Sequence, residues 1–218
     1  MSPTIMAYEL AIATGQTLYM VAASTLFAVL LGLPLGTLLF STHALKPQPS
    51  LFRTLSAVIN IARSIPFIIL LVALIPITRI LVGSSIGIHA AIVPLTLGAA
   101  PLFARLIDNA YRSLSPGLLE AGFAMGTNTW QMIRYILLPE ARPAIIQAIT
   151  LTAITLVNYS AMSGTVGGGG LGDLAIRHGY QRFDLSIMII TVMILVLIVQ
   201  ALQWFGDRCA RAPATQQD

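Results

Sequence analysis

The sequence predicts an all-α integral membrane protein with five transmembrane helices, and three observations carry that prediction. First, 56% of the 218 residues are hydrophobic and only 9% are charged, whereas soluble domains carry about 25% charged residues. Second, five apolar segments are long enough to cross a hydrocarbon core of about 30 Å as helices. Third, these segments lack the period-two alternation of transmembrane β-strands. The bilayer is therefore the expected solvent of most of the chain.

The boundaries of the five predicted spans follow from where charge is absent. The second span contains a single charged residue, Arg63, and the other four contain no Asp, Glu, Lys or Arg. Helices are expected because each helix satisfies its own backbone hydrogen bonds in lipid. In chain order, the predicted spans are 17–40, 56–77, 80–104, 143–163 and 185–206. They form a single predicted membrane domain over residues 1–218, without a soluble appendage.

The distribution of positive charge predicts the orientation, because Lys and Arg concentrate in cytoplasmic segments. Five spans place the two termini on opposite sides. With the N-terminus outside, eight charges fall inside, namely Lys46, Arg53, Arg105, Arg112, Arg134, Arg142, Arg208 and Arg211. Three then fall outside, namely Arg79, Arg177 and Arg182. The chain is thus predicted to run N-out, C-in, which makes residues 115–139 cytoplasmic.

Composition and missing motifs argue against several other classes of protein. The net charge of +4 is scattered, so no nucleic-acid surface is expected. The lone Cys209 excludes an internal disulfide and a cysteine-built metal site. His43, His89 and His178 lie in separate segments, so no metal site is predicted. No Gly-x-x-x-x-Gly-Lys-Ser/Thr phosphate loop is present, and the chain is not expected to be an enzyme.

A run of four glycines, Gly167–Gly170, is predicted to lie outside, between spans four and five. It is followed by Leu171, Gly172 and Asp173, without the lysine that reaches phosphate in nucleotide-binding loops. The run therefore predicts a flexible surface loop rather than a ligand cradle.

Residues 115–139 predict a pair of short helices between spans three and four. Ser115 and Pro116 suit the cap and the first turn of a helix. Glu120 lies near the N-terminus of that helix, where negative charge is favoured. Gly126 can adopt the positive φ that ends it.

The second helix of this pair is predicted to begin at Thr127 or Thr129, either of which can cap it. Trp130, Ile133 and Leu137 then recur at helical spacing. One interpretation is an amphipathic hairpin that lies on the lipid surface and merely joins two spans. The other is a surface that another protein grips, which the low charge and small residues of the first helix favour.

The same segment resembles the EAA motif of ABC importer permeases. The motif residues are Glu120, Ala121, Gly122, Gly126, Ile136, Leu138 and Pro139. Gly122 departs from the family pattern, which has a second alanine there, but a small residue is kept. Over nearly the whole chain the sequence is similar to the methionine importer permeases of this family. The segments that carry the similarity are Ile59–Leu71, Ala91–Thr96, Gly98–Pro101, Tyr159–Met162 and Gly168–Gly172.

This resemblance implies the ABC type I importer permease fold, in a multi-pass protein of the bacterial inner (cytoplasmic) membrane. It implies a homodimer of this chain, two cytoplasmic ABC ATPase subunits and an external substrate-binding protein, periplasmic or a lipoprotein. The chain itself would bind no cofactor, since ATP and magnesium belong to the partner ATPase, and membrane lipid would surround the spans. The seven motif residues would couple ATP-driven movement to alternating access for methionine.

The predicted translocation pathway follows a polar stripe on span four. Thr152, Thr155, Tyr159 and Ser163 fall near one helical face, with Met162 beside them. Such a face should turn toward protein or water rather than lipid. The alternative is that these hydroxyl groups only hold helices together, as Ser and Thr commonly do in membranes.

Span two is predicted to contribute Arg63 and Ser64 to the pathway or its gate. A charge within a span marks function by default, because its burial in lipid is costly. The alternative is that Arg63 reaches to the cytoplasmic interface or pairs with a helix end. Pro66 and Pro76 allow bends in this span.

Three other functional interpretations stay open at this point. The permease could carry another amino acid or a small peptide, because selection can lie in the external binding protein. An autonomous channel or secondary carrier is disfavoured because no predicted span holds an acidic residue. An intramembrane enzyme is disfavoured by the absence of a plausible catalytic pair.

Overall fold

The computed structural model describes residues 3–211, and the remaining ends of the predicted domain, 1–2 and 212–218, lie outside the described residues. Within 3–211 the chain is helical and forms no β-strand, so the predicted all-α class is confirmed. Four of the described helices are long and apolar enough to cross a membrane, or five if one bent pair is counted as a single span.

The described helices are named here in chain order. They are α1 (Pro3–Phe40), α2 (Pro49–Ser64), α3 (Phe67–Ala73), α4 (Ile75–Val82), α5 (Ile88–Arg112), α6 (Pro116–Ala124), α7 (Thr129–Gln131), α8 (Leu138–Glu140), α9 (Arg142–Ser163), α10 (Gly170–Leu174) and α11 (Leu185–Arg211). Wider π-helical turns occupy Ser41–Leu45, Met132–Leu137 and Ala175–Tyr180, and a 3₁₀ turn occupies Gly164–Val166.

A close and extensive helix contact joins α1 to α5, and two glycines make it possible. A Cβ atom at Gly32 would lie 2.8 Å from the carbonyl oxygen of Ala100, and one at Gly36 would lie 2.7 Å from Cβ of Ile107. Glycines four residues apart let two helix backbones approach in a membrane. The alanines Ala100 and Ala104 on α5 are fully packed against this surface.

The segment predicted as the second span, 56–77, is not one straight helix. Its helices α2 and α3 meet at 98°. Ile65, between them, has extended backbone angles (φ −78°, ψ 123°), because the ring of Pro66 excludes the helical conformation at the preceding residue. The sequence predicted a bend at the prolines of this span. The size of the angle was not predicted, because the residues on both sides of the break are apolar and resemble one continuous span.

The predicted third span, 80–104, also begins in the wrong place. Residues 80–82 belong to α4, and α5 starts only at Ile88. Between them, Gly83 and Gly87 have φ of +80° and +101°, which favours glycine and interrupts a helix. At its other end α5 continues eight residues beyond 104, to Arg112, and so includes Asp108.

Asp108 is the buried centre of a charge cluster that joins α5 to α2. Its carboxylate accepts hydrogen bonds from Nη1 of Arg105 and Nε of Arg112, both at 3.1 Å. Arg105 also donates from Nη2 to Oγ of Ser56 at 2.9 Å and to Oδ1 of Asn60 at 2.8 Å. Arg105 therefore ties α2 to α5, and Asp108 fixes the position of Arg105.

The glycine run is not the flexible surface loop that the sequence predicted. Gly168 and Gly170 are buried, and the N–H of Gly170 donates to Oε1 of Gln16 on α1 at 2.9 Å. The next amide, of Leu171, donates to Oγ1 of Thr17 at 2.9 Å. Gly167, Gly169 and Gly170 all have positive φ, so the glycines are needed to turn the backbone against α1.

Replacing Gly36 by Val should destabilise the protein, because the added side chain would meet the backbone of α5. Overpacking of this kind costs about 1–3 kcal/mol. Thermal unfolding in detergent measures the effect. The matched control is Gly15→Val on the same helix, where a Cβ atom meets nothing within 4 Å. Equal midpoints for the two variants would contradict the proposed packing role of Gly36.

Replacing Asp108 by Asn should also lower the unfolding midpoint, since it leaves two arginines without their counter-charge. Breaking a buried pair costs about 3–5 kcal/mol, and the partial exposure of both guanidinium groups should bring the loss to roughly half of that. Asp207→Asn is the control, because within residues 3–211 Asp207 accepts a hydrogen bond from Gln203 at 2.9 Å and forms no ion pair, and it should change the midpoint little. A destabilisation no larger than that of the control would contradict this account.

Candidate functional site: the coupling region and two membrane cavities

The coupling region, residues 115–139, folds into a short helix, a tight turn and a second helical segment. Ser115 occupies the N-cap position of α6 and Pro116 its first turn, as predicted, but the hydroxyl group of Ser115 makes no capping hydrogen bond. Gly126 has φ +74° and donates its N–H to the carbonyl of Phe123 at 2.9 Å. It therefore ends this helix in the way the sequence predicted.

The cap of the second segment was predicted wrongly, since neither Thr127 nor Thr129 supplies it. The N–H of Gln131 donates to Oδ1 of Asn128 at 2.8 Å, and the N–H of Asn128 donates to Oε1 of Gln131 at 2.9 Å. This reciprocal pair is a capping box. Thr127 instead donates its hydroxyl group to the carbonyl of Gly122 at 2.9 Å and closes the turn from the other side.

Gly122 provides the space that locks the two segments together. A Cβ atom there would lie 2.6 Å from Cε of Met132 and 2.9 Å from Cδ1 of Ile136. Met132 is fully buried. An alanine at this motif position would therefore require the ends of the Met132 and Ile136 side chains to shift.

The spacing of Trp130, Ile133 and Leu137 suggested one shared face, and the structure separates them. Leu137 is fully buried, whereas Trp130 is 69% exposed. The π-helical turn Met132–Leu137 widens the helix and shifts its register. Met132 and Leu137 consequently enter one cluster with Phe103 and Ile107 of α5.

The exposed side of the region forms what we call the coupling surface, made of Glu120, Phe123, Met125, Trp130 and Tyr135. Its four apolar side chains are 47%, 72%, 69% and 71% exposed, respectively. Contiguous exposed apolar residues mark interaction sites, and aromatic residues and Met are enriched in protein interfaces.

The remaining predicted coupling residues divide between surface and core. Ala121 and Pro139 are exposed, whereas Ile136 and Leu138 are half-buried. Ile136 and Leu138 pack against the cluster that holds Met132 and Leu137. Their geometry suits anchoring of the region to the membrane helices rather than direct contact with a partner.

The predicted polar stripe of α9 divides between buried and more accessible positions. Thr152 and Ser163 are almost fully buried. The hydroxyl groups of Thr152, Thr155 and Ser163 each donate to a carbonyl of their own helix at 2.8 Å. These three bonds are internal to α9, so they are not the helix-to-helix links that the alternative interpretation required.

Among the cavities beside α9, two contain predicted pathway residues, and they separate these residues from one another. The first, of about 230 Å³, is lined by Arg63, Phe67, Gly98 and Tyr159 among others, and we call it the aromatic cavity. The second, of about 240 Å³, is lined by Ser163, Gly168 and residues of α3, α4 and α5.

Four of the predicted pathway residues, Ser64, Thr152, Thr155 and Met162, line neither cavity. Ser64 is exposed and donates its hydroxyl group to the carbonyl of Asn60 at 2.8 Å. Met162 is 39% exposed, on the surface of α9. Of the seven predicted pathway residues, the structure brings Arg63 and Tyr159 together.

Phe67 and Asp108 were missed by the sequence interpretation. The rings of Phe67 and Tyr159 are stacked, with centroids 4.2 Å apart and planes inclined by 2°. Nothing local in the sequence signals this pair, which joins α3 to α9. Asp108 did have a signal, because Arg105 and Arg112 precede and follow it by three and four residues, the spacing of neighbours on a helix.

A polar cluster lies at the end of the fold that holds the glycine run. Arg177 donates from Nε to Oδ2 of Asp173 at 2.8 Å, and that hydrogen bond raises the pKa of Arg177 above its ordinary value. Nε2 of His178 lies 3.5 Å from Oε2 of Glu9 on α1. The first pair lies within one helical segment, whereas the second joins the turn after α10 to the beginning of α1.

Comparison with known proteins gives concordant matches. A family model described as the binding-protein-dependent transport system inner membrane component matches residues 28–212. The chain is 52% identical over 201 residues to the probable D-methionine transport system permease protein MetI of Vibrio cholerae serotype O1, covering 91% of this chain and 89% of that protein. It is 53% identical over 151 residues to D-methionine transport system permease protein MetI of Escherichia coli (strain K12), covering 68% and 70%.

Solved structures agree with these sequence relatives. A chain of the MetNI methionine ABC transporter, in inward-facing conformations, superposes with a TM-score of 0.95 at 47% identity, covering 98% of this chain and 99% of that chain. A chain of an amino acid ABC transporter with histidines superposes with a TM-score of 0.79 at 20% identity, covering 96% of each. The second likeness concerns the fold alone.

Proposed function

Because this chain belongs to the family of binding-protein-dependent transport system inner membrane components, we propose that it is the permease subunit of an ATP-driven importer that carries methionine. The observation that carries this proposal is the match, over nearly the full length of both chains, to a permease chain of the MetNI methionine ABC transporter. The multi-pass helical architecture in an inner membrane fits that role.

In the proposed assembly, two copies of this chain bind two cytoplasmic ABC ATPase subunits, which hold ATP and magnesium. An external substrate-binding protein delivers methionine to the opposite face, and membrane lipid surrounds the long helices. This chain provides the passage and the coupling surface, and the chemical step belongs to the ATPase partner.

The coupling surface is proposed to dock on the ATPase. Its exposed aromatic and methionine side chains suit a protein interface, and the capping box of Asn128 with Gln131 holds the segment in shape. Met132 and Leu137 pack on Phe103 and Ile107 of α5. A displacement of the coupling region therefore reaches α5 directly through packed side chains.

From α5 the displacement is proposed to reach the aromatic cavity. Arg105 connects α5 to Ser56 and Asn60 of α2, and α2 leads through the bend at Pro66 to Phe67. Phe67 in turn stacks on Tyr159 of α9. The proposed gate residues Arg63 and Tyr159 thus lie at the end of a continuous chain of contacts that starts at the coupling surface.

An autonomous proton-coupled carrier is a weaker candidate. The sequence analysis disfavoured such a carrier because no predicted span holds an acidic residue. The structure corrects this premise, because α5 extends to include a buried acidic residue, Asp108. Both of its oxygens accept hydrogen bonds from arginines at 3.1 Å, and Arg105 in turn binds Ser56 and Asn60 of α2. These contacts fit a structural role for Asp108 in joining two helices.

Uptake of radiolabelled methionine into liposomes tests the proposed function. The liposomes hold this chain with its co-purifying ATPase, with ATP inside and the cognate binding protein outside. We expect ATP-dependent uptake that excess unlabelled methionine blocks. ATP-dependent activity without methionine uptake would leave the importer class and exclude this cargo, in favour of another amino acid or a small peptide. Uptake without ATP would contradict the importer class itself.

A Gly126→Val substitution should uncouple ATP hydrolysis from uptake. A β-branched residue is strained at φ +74°, so the turn between α6 and α7 must rearrange and the coupling surface with it. The measurement is methionine imported per ATP hydrolysed. Gly117→Val is the matched control, because it adds the same side chain to α6 in equally open space but without positive φ.

Gly126→Asn should retain more coupling than Gly126→Val, since asparagine tolerates the left-handed region. Normal transport stoichiometry in the Gly126→Val complex, or equal losses in Gly126→Val and Gly117→Val, would remove Gly126 from the coupling role.

A further inference from the structure

A long apolar groove runs along the outside of the helix bundle between α1, α9 and α11, and we call it the three-helix groove. Its walls come from residues 18–29 of α1, 146–153 of α9 and 202–209 of α11, and its volume is about 600 Å³. Among the described residues, no charged side chain lines it, and the lining is apolar except for Thr25, Thr150 and Cys209.

The groove has a closed floor and exposed walls. A Cβ atom at Gly206 of α11 would collide with the side chain of Thr150 on α9, so these two helices meet at the floor. The hydroxyl group of Thr150 donates to the carbonyl of Ile146 at 2.9 Å and is thereby satisfied within α9. Leu26 and Phe205 line the groove and are both exposed. An occupant must therefore be apolar and must enter from the surrounding membrane.

The dimensions of the groove suit an acyl chain rather than a transmembrane helix. Its wall on α1 extends about 17 Å at the helical rise of about 1.5 Å per residue, which is close to half of a hydrocarbon core of about 30 Å. Spread over that length, the volume leaves a mean cross-section of about 35 Å², whereas a helix about 10 Å in diameter covers about 80 Å². The space therefore has the length of one leaflet and is too narrow for a helix.

The cytoplasmic end of the groove lies beside a positive charge. Arg142 is the first residue of α9, is exposed and precedes Ile146 by one turn, so the two residues share a face of that helix. On α11, Cζ of Arg208 lies 4.9 Å from the ring centroid of Trp204. Tryptophan and arginine are typical of the cytoplasmic membrane–water interface. The groove thus begins at that interface and runs into the hydrocarbon region.

We propose that the three-helix groove binds one acyl chain of an anionic phospholipid of the cytoplasmic leaflet, whose phosphate group meets Arg142 at the membrane surface. In lipid there is little hydrophobic force between apolar surfaces, so the preference for this lipid comes from its charge, which basic residues at the cytoplasmic surface attract. The chain fills space that the side chains of α1 and α11 leave open and restores the contacts that an empty groove would lack. The bound lipid thereby stabilises the folded permease.

Photolabelling of the complete transporter tests the lipid site. The complex is reconstituted into phosphatidylcholine vesicles that contain a rising fraction of phosphatidylglycerol with a diazirine in one acyl chain. After illumination, mass spectrometry locates the label along this chain. We expect the label in residues 18–29, 146–153 and 202–209 to saturate as the probe fraction rises. Label at Leu197, which is exposed on α11 outside the groove, should rise in proportion to the probe, because it reports bulk lipid.

An Ala22→Trp substitution should reduce the saturable label about tenfold, because the indole ring fills the groove from an exposed position of α1 and overpacks it against the lipid chain. Ala201→Trp is the matched control, since it adds the same side chain to α11 at an exposed position outside the groove. It should leave the label unchanged.

An Arg142→Gln substitution should raise the probe fraction needed for half-saturation about fivefold, the usual contribution of one basic residue at an anionic membrane surface. Arg211→Gln removes an equal charge from the last turn of α11. Arg211 follows Cys209 by two residues, so it lies about 200° around the helix, on the face opposite the groove. This control should leave half-saturation unchanged.

Label that rises in proportion to the probe in the groove as well as at Leu197 would overturn the site and leave bulk lipid only. Equal half-saturation by a phosphatidylcholine probe, or by Arg142→Gln and the unchanged chain, would overturn the role of the anionic headgroup. An unlabelled groove with a disulfide between the Cys209 residues of two copies would assign the groove to a second copy, since Cys209 is the sole cysteine and lines the groove. The measurement needs neither ATP hydrolysis nor cargo, so its failure leaves the proposed import function standing.

Discussion

The close approach of α1 and α5 is the constraint on which the rest of the structure depends. Two glycines on α1 remove the side chains that would hold these helices apart, and the backbone of α5 occupies the space. In lipid there is little hydrophobic force between helices, so contact of this kind must come from packing at short range. Once α5 is fixed against α1, it can present one face to α9, another to α2 and its end to the coupling region.

Polar connections are concentrated where apolar packing alone would leave the position of a helix undetermined. α2 is amphipathic and carries only one fully buried apolar side chain, Ile59. The hydrogen bonds of Arg105 to α2 therefore contribute more to the position of this helix than its apolar packing does. The glycine run is likewise placed by two backbone amides that donate to Gln16 and Thr17. Hydrogen bonds are directional, so each of these connections fixes the orientation of the two segments that it joins as well as the distance between them.

The sequence predicted the parts of the fold that local pattern determines. Spans four and five are uncharged runs bounded by charge, and α9 and α11 cover them. The turn at Gly126 was predictable because a helix commonly ends at a residue with left-handed backbone angles, and that residue is usually glycine. The pairing of Phe67 with Tyr159 was not, because it depends on how three helices pack.

Two wrong predictions have the same physical origin. Three adjacent residues, Thr127, Asn128 and Thr129, can all cap a helix, and the path of the chain out of Gly126 selects the middle one. The glycine run appeared flexible because its composition shows no partner, yet its partners lie on α1, far away in sequence. Local propensity gives the conformations that a segment can adopt, and the surrounding structure selects one of them.

The near-perpendicular joint between α2 and α3 has a mechanical consequence. When two rigid helices are joined at a right angle, a displacement along the axis of one helix moves the other helix perpendicular to its own axis. With the helices at 98°, a shift of α2 along its own axis moves the start of α3 across its own axis. Phe67 occupies that start, so a small shift of α2 along its axis would move the Phe67 ring relative to the ring of Tyr159.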